Sequence, residues 1–423
     1  MALFDGLEIS RDTLEQANPV FNTAKLTLFQ LSGTGDADAA AISEKLGLTM
    51  EQTQNSANSV ASPEQLAAGA LTMENRFRTM GVLADRSGCD VHVDLPCGYT
   101  PRAIHSARAG KRFVGLDLPA VIGELEGVIS SLLTPEEQKL VRFQAVDATN
   151  YATLEAALRE VEGTLCITTE GLLMYFTDSE MEVFLDNIRL LLERHGGCWM
   201  TPDPEITLAY IIALKTVCGE RFMQVMMNAR QQAADKSDVQ VGGNRLLLNP
   251  ADVPGSMKAA MGLLAKHGLK AERMVIADYM PELASLSLIP EQAEAYKAAM
   301  KQCAYWKVTL AGPVRALDTS AVASKAFDAS AQIQDGTLLL RLTGRLDTMT
   351  APNLLAFYEQ NREAIQGVCV DCGELEYISS AGLRVLLIMQ KGCADGVRLQ
   401  KVNRLVTEIL EQTGFDSVLA VEN

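Results

Sequence analysis

The sequence predicts a two-domain α/β chain: a helical lead-in, a mostly parallel sheet covered by helices, and a small α/β unit at the C-terminal end. Three observations carry that prediction. At 423 residues the chain is longer than one hydrophobic core usually serves. From Cys89 onward, short apolar runs alternate with helical segments, a βαβα rhythm that calls for a parallel sheet with helices on both faces. A stretch rich in Ala, Ser and Asp without periodicity, 313–330, then precedes a second alternating unit. The expected domains are therefore 1–312 and 331–423, with 313–330 as the linker.

Up to about residue 85 the pattern is helical. FNTAKLTLFQL carries apolar residues at helical spacing, DADAAAISEKLGL is a capped amphipathic segment, and SPEQLAAGALTMENRFRTMGVLADR opens on Ser62-Pro63. Strands follow at CDVHVDLP, KRFVGLDLP, VRFQAVDATN, TLCITTEG and GGCWMTPDP. Helices PRAIHSARAG, AVIGELEGVISSLL, YATLEAALREV and SEMEVFLDNIRLLLERHG lie between them. AERMVIADY and AYWKVTLAG are expected as closing strands around the helical SLIPEQAEAYKAAMKQC. RFMQVMMNARQQ is taken as core rather than pocket lining, since methionines fill cores more often than they line sites. In the tail, strands TLLLRLTG, GVCVDCG and VRLQKV alternate with helices APNLLAFYEQNREAI, AGLRVLLIMQKG and LVTEILEQTG.

Composition narrows the function classes. The net charge of −16, from 53 acidic and 37 basic residues, repels phosphate backbones, so a nucleic-acid partner is not expected. No apolar run approaches bilayer-spanning length, and MALFDGLEIS lacks the basic and apolar regions of a signal peptide, so a cytoplasmic protein without a membrane partner is expected. Nine cysteines, an odd number, read as reduced thiols; the pair Cys369 and Cys372 lacks the second pair or nearby histidine of a zinc site. With four histidines in all, a multi-histidine metal centre is not expected.

In an open parallel sheet, ligands bind outside the carboxyl ends of the strands. The first strand ends in Asp94-Leu95-Pro96-Cys97-Gly98-Tyr99-Thr100-Pro101-Arg102, where Gly98 lets backbone approach a ligand and the next helix start suits an anion. The second ends in Asp117, a carboxylate placed to receive two ribose hydroxyls. The third ends in Asp147, able to accept from the amine of a base, and the fourth in Thr169-Glu170-Gly171-Leu172-Leu173-Met174-Tyr175. Tyr99 and Tyr175 are pocket candidates because each lies in a strand-end loop. The pattern alone also permits a dinucleotide enzyme, although GxGxxG is missing and Pro96 stands where its first glycine would be.

DLPCGYTPR, GLDLPAVI and above all TEGLLMYF resemble the leucine carboxyl methyltransferase-like family, a branch of the Rossmann-like class I S-adenosyl-L-methionine-dependent methyltransferases. The resemblance runs over roughly residues 15–312. It implies that Asp94 and Gly98 line the methionine part of S-adenosyl-L-methionine, Asp117 holds the ribose, Asp147 faces the adenine, and Glu170 stands beside the reacting end; Glu170 and the strand-end Tyr175 are the catalytic candidates. It implies that Arg78 pairs with the methionine carboxylate, with Arg76 as competitor for that role. The implied reaction is methyl transfer to an oxygen, a carboxylate or hydroxyl of a small molecule or protein.

In the tail, Tyr377-Ile378-Ser379-Ser380-Ala381-Gly382 runs from a strand into a helix. Either serine could cap that helix. A phosphate there would meet free N–H groups and add negative charge to the surface. LTGRLDTMTAP and YISSAGLRVLL resemble the two signature segments of STAS domains, the anti-sigma-factor antagonist module, over about 331–421. This resemblance implies a four-stranded sheet with helices on one face, a serine kinase acting as anti-sigma factor as partner, and Ser380 as phosphoacceptor, with Ser379 where aspartate is frequent. It also opens an alternative: a signalling protein switched by phosphorylation, its front domain a sensor or degenerate scaffold.

Overall fold

The computed structural model describes residues 24–48, 63–225, 243–313 and 315–422. They fall into two compact units, Met1–Leu310 and Ala311–Asn423.

In the first unit, residues 24–32 are helical. Helix α1 (Ala37–Lys45) follows, capped by the Asp36 carboxylate, which accepts from the N–H groups of Asp38 and Ala39. The long α2 (Pro63–Arg86) buries Leu71, Phe77, Met80 and Leu83 at helical spacing. Seven strands then form one sheet: β1 (Val91–Asp94), β2 (Arg112–Asp117), β3 (Val141–Ala145), β4 (Leu165–Thr168), β5 (Gly197–Thr201), β6 (Leu269–Val275) and β7 (Ala304–Leu310), in the order β3-β2-β1-β4-β5-β7-β6. The first five pair in parallel, and β7 runs antiparallel to both β5 and β6. Helices α3 (Arg102–Arg108), α4 (Pro119–Ser130), α5 (Tyr151–Leu158) and α6 (Asp178–His195) connect the parallel strands in turn. Later in the chain come α7 (Ile206–Cys218), α8 (Val253–Lys266) and α9 (Ala293–Ala299). Strand order reverses between β1 and β4, which puts the ligand crevice of an open α/β sheet at the carboxyl ends of those two strands.

Local chemistry explains the boundaries. Helix α6 starts at a capping box, Thr177 with Glu180, and stops at Gly196, whose φ of 70° suits glycine. The strand expected through AERMVIADY is β6, and it ends at Val275; residues Ile276–Tyr279 form a helical turn instead. The helix expected through SLIPEQAEAYKAAMKQC is reduced to α9 with 3-10 turns either side, since Pro290 cannot continue a helix from upstream. Most of RFMQVMMNARQQ lies outside the described residues. Among the described residues no helix is long and apolar enough to cross a membrane.

Among its described residues the second unit holds six strands, where four were expected: β8 (Arg315–Leu317), β9 (Phe327–Gln334), β10 (Thr337–Leu346), β11 (Gly367–Ile378), β12 (Val397–Gln400) and β13 (Ala420–Glu422), in the order β13-β12-β11-β10-β9-β8. Helices α10 (Ala351–Asn361), α11 (Ser380–Gly392) and α12 (Arg404–Thr413) supply Leu354, Leu383, Leu386, Val406 and Leu410 to one core against the sheet. The expected linker, 313–330, carries β8 and the first half of β9. Along β9 burial alternates strictly, with Phe327, Ala329, Ala331 and Ile333 inward, and it pairs antiparallel with β10 from Gln334 to Phe327. Cys369 and Cys372 both sit within β11 and are buried.

Candidate functional site

The carboxyl ends of β1, β2 and β4 converge at the switch point. Asp94, the last residue of β1, is 2% exposed; it accepts from the Thr168 hydroxyl at 2.7 Å and from Arg102 Nε at 3.1 Å. Arg102 opens α3, and its Nη2 donates to Glu170 in the loop after β4. A second guanidinium, Arg76 of α2, reaches the other oxygen of Glu170 at 3.2 Å. The acids expected at the ends of β1 and β4 thus share one arginine.

Asp117 ends β2 facing the first loop. Its two oxygens accept from the Gly98 N–H at 2.8 Å and from its neighbour Leu118 at 2.7 Å. Gly98 has a φ of 51°, a left-handed conformation that leaves bare backbone at the crevice. Burial pushes the Asp117 carboxyl up to about 7, against the pull of those two amide bonds. Asp147 lies one strand further out and closes its own loop, accepting from both the N–H and the hydroxyl of Thr149. Tyr99 is buried and donates to Glu124, which also pairs with Lys25 at 2.7 Å.

Glu170 is the start of a turn held from two sides. Its side chain rests between Arg102 and Arg76, where burial raises its carboxyl to about 7 while both arginines pull it down. Asp203, just beyond β5, accepts from the N–H groups of Gly171, Leu172 and Leu173 at 2.8–2.9 Å. The Asn244 side-chain amide donates to the carbonyls of Leu173 and Phe176, fixing the 3-10 turn Leu173–Tyr175. Tyr175, at the end of that turn, is half-buried, and burial raises its phenol. A cleft of about 20 Å³ opens beside Arg76, among Asn75, Ile206, Tyr296 and Tyr305. Asp203, Asn244 and Arg102 were not singled out by sequence reasoning. Arg102 sat within the expected loop, but its partners lie as far as 68 residues away.

Of the two arginines considered for the crevice, Arg76 meets Glu170 and Arg78 does not. Arg78 pairs with Glu74 at 2.7 Å, and Glu74 in turn accepts from the N–H groups of Ala284 and Ser285. Along α2, positions 74 and 78 share one face and 76 lies on another.

In the second unit, Ser379 is the N-cap of α11: its Oγ accepts from the Gly382 N–H at 3.4 Å, and its own N–H donates to the Leu346 carbonyl at 2.9 Å. Ser380 is the first helical residue and is exposed. A Cβ on Gly382 would come within 2.8 Å of the Leu346 carbonyl, so only glycine lets α11 approach β10 this closely. Gly344, at a φ of 83°, marks a register shift between β10 and β11, and a side chain there would strike the Ala326 carbonyl. Exposed Met349, Arg345 stacked 4.3 Å over the Tyr377 ring, and Ser380 all lie near the carboxyl ends of β10 and β11.

A family model described as "Mlab, STAS domain" matches residues 329–420. A Bordetella bronchiseptica protein named as a candidate anti-sigma factor antagonist, BtrV, is 36% identical over 93 residues, covering 21% of this chain and 80% of that protein. An anti-sigma factor antagonist structure from Mycobacterium paratuberculosis is similar at 19% identity and a TM-score of 0.22, over 23% of this chain and 87% of its own. Over the front unit, human N-acetylserotonin methyltransferase, solved with SAM, is similar at 14% identity and a TM-score of 0.30, over 63% of this chain and 61% of its own.

Proposed function

We propose, for a chain that belongs through residues 329–420 to the STAS domain family, that its Rossmann-like front unit is an S-adenosylmethionine-dependent O-methyltransferase and its rear unit a partner-binding switch. The observation that carries the enzyme reading is Asp117: it ends β2 beside the switch point, and its carboxylate is seated against the bare backbone of Gly98. The residues fit the cofactor: Asp117 would hold the ribose hydroxyls, Asp147 would face the adenine, and Asp94 with Gly98 would border the methionine part. Arg76 rather than Arg78 suits the methionine carboxylate, because Arg76 borders Glu170. Once bound, the cofactor supplies a methyl group on a sulfonium.

The chain's own residues orient and exclude water. Glu170 is engaged by two guanidiniums and Asp203 by three amides, so both acids are committed to holding geometry. That arrangement favours an acceptor that arrives ionised, a carboxylate or phenolate, for which in-line placement supplies most of the rate. Tyr175 and Glu170 border its path. In the rear unit the exposed Ser380 is the phosphoacceptor for a serine kinase that doubles as anti-sigma factor.

Calorimetry with S-adenosylmethionine and S-adenosylhomocysteine tests the first part. Wild type is expected to bind both, and Asp117→Ala to bind at least about tenfold more weakly, the loss of paired hydrogen bonds to a charged group. No binding to wild type sinks the enzyme reading; undiminished binding by Asp117→Ala sinks the ribose assignment.

A further inference from the structure

The side chain that ties this crevice together belongs to none of the roles above. Arg102 is 4% exposed, deeper than Arg76 at 14%. Its guanidinium donates to Asp94 at the end of β1, to the Phe77 carbonyl of α2 at 3.2 Å, and to Glu170 after β4. The plane also lies over the Phe77 ring, with Cζ 4.7 Å from its centroid. One residue at the first position of α3 therefore joins the two strand ends that flank the switch point to the helix that leads into β1.

Stability alone does not account for this arrangement. Removing an arginine and its carboxylates from water costs several kcal/mol per ion, and well-packed apolar groups in such places are often as stable or more so. What an ion network of this kind supplies is a fixed geometry. We propose that Arg102 is the positioning residue of the crevice, holding the carboxylates of Asp94 and Glu170 in the one arrangement that receives the adenosyl cofactor. The proposal rests on the cofactor reading given above.

It has a consequence that a filler of space would not have. Five groups face Glu170: Arg102 from α3, Arg76 from α2, Asp94 from β1, Asp203 beyond β5 and Tyr305 from β7. Burial and the two neighbouring acids push its carboxyl up, and the two arginines pull it down. Without Arg102, only Arg76 opposes burial, and Glu170 keeps its proton to higher pH. Binding that depends on the ionised carboxylate is lost as pH falls, and the variant loses it at a higher pH than wild type.

The test measures the dissociation constant of S-adenosylhomocysteine by calorimetry between about pH 6 and about pH 9, spanning the range in which such a carboxyl titrates. Arg102→Met is expected to bind about tenfold more weakly or worse at neutral pH, with the midpoint of the pH dependence raised by about one unit. Arg102→Lys keeps the charge without the fork, so it recovers the pH midpoint more fully than the affinity. If the Met variant does not fold, the Lys variant decides on affinity alone. Failure of wild type to bind removes the cofactor reading and this proposal with it. Binding by wild type, with the same affinity and pH profile in the Lys variant and in a folded Met variant, overturns the proposal alone.

Discussion

Two neighbouring serines at the start of α11 divide one position's chemistry between them. Ser379 has extended backbone, and its hydroxyl is committed to the Gly382 N–H, whereas Ser380 is already helical and its side chain faces solvent. Capping belongs to the first, and the second leaves its hydroxyl exposed. Ser379→Ala is expected to lower the unfolding free energy by about 0.5–1 kcal/mol, the modest end for a cap whose bond is long. Ser380→Ala is expected to stay within about 0.5 kcal/mol of wild type, as exposed substitutions do. Urea titrations measure both, and incubation with a serine kinase that labels the wild-type chain completes the comparison. Labelling should survive Ser379→Ala and vanish in Ser380→Ala; the reverse pattern removes Ser380 as the acceptor. Sequence alone left the cap open between these two, because hydroxyls at adjacent positions are equivalent until backbone conformation separates them. The choice between Arg76 and Arg78 had a legible clue in Glu74, one turn before Arg78 and spaced for an ion pair.

At the scale of elements, strand ends and loops were legible where residue type forces them, and contacts made across the chain were not. Asp117 and Gly98 follow from the βα rhythm. The glycines of both tail segments have a steric reason: Gly344 sits at a left-handed bulge, and Gly382 lies against the end of β10. Asp203 gave no such signal. In TPDPE it reads as an ordinary acid after a strand, yet it orders the turn that carries Glu170 and Tyr175 from about thirty residues downstream. Asp203→Ala leaves three amides at the crevice without their acceptor. It is expected to destabilise the front unit by roughly 2–4 kcal/mol, in line with stranding buried donors. S-adenosylhomocysteine binding should weaken in the same variant even at temperatures where it is fully folded. Denaturant titration and calorimetry measure the two effects. A variant with unchanged affinity would mean that the turn keeps its shape without Asp203, and the Asn244 bonds to Leu173 and Phe176 would then be the braces that matter.

For the molecule as a whole, the disputed ground is the join between the units. Residues 313–330 lack an obvious strand signature because two of the four inward positions of β9 are alanine, and small residues give little contrast with the outward Asp328, Ser330 and Gln332. What makes this segment a strand is its partner: β10 offers an antiparallel edge, and Phe327 and Ala329 close the core over Leu338, Leu340 and Leu342. A fragment beginning at residue 331 would cut β9 in half and discard Phe327, Val322 and β8. Losing one buried phenylalanine costs about 2–3 kcal/mol in transfer energy, and the freed edge of β10 invites pairing with another chain. A fragment spanning 311–423 is therefore expected to unfold cooperatively as a soluble unit, whereas 331–423 should melt at lower temperature or associate. Thermal melts by circular dichroism, with gel filtration at matched concentration, compare them. Equal midpoints and equal elution would return 313–330 to the role of a linker; a lower midpoint for the shorter fragment would set the boundary at Leu310.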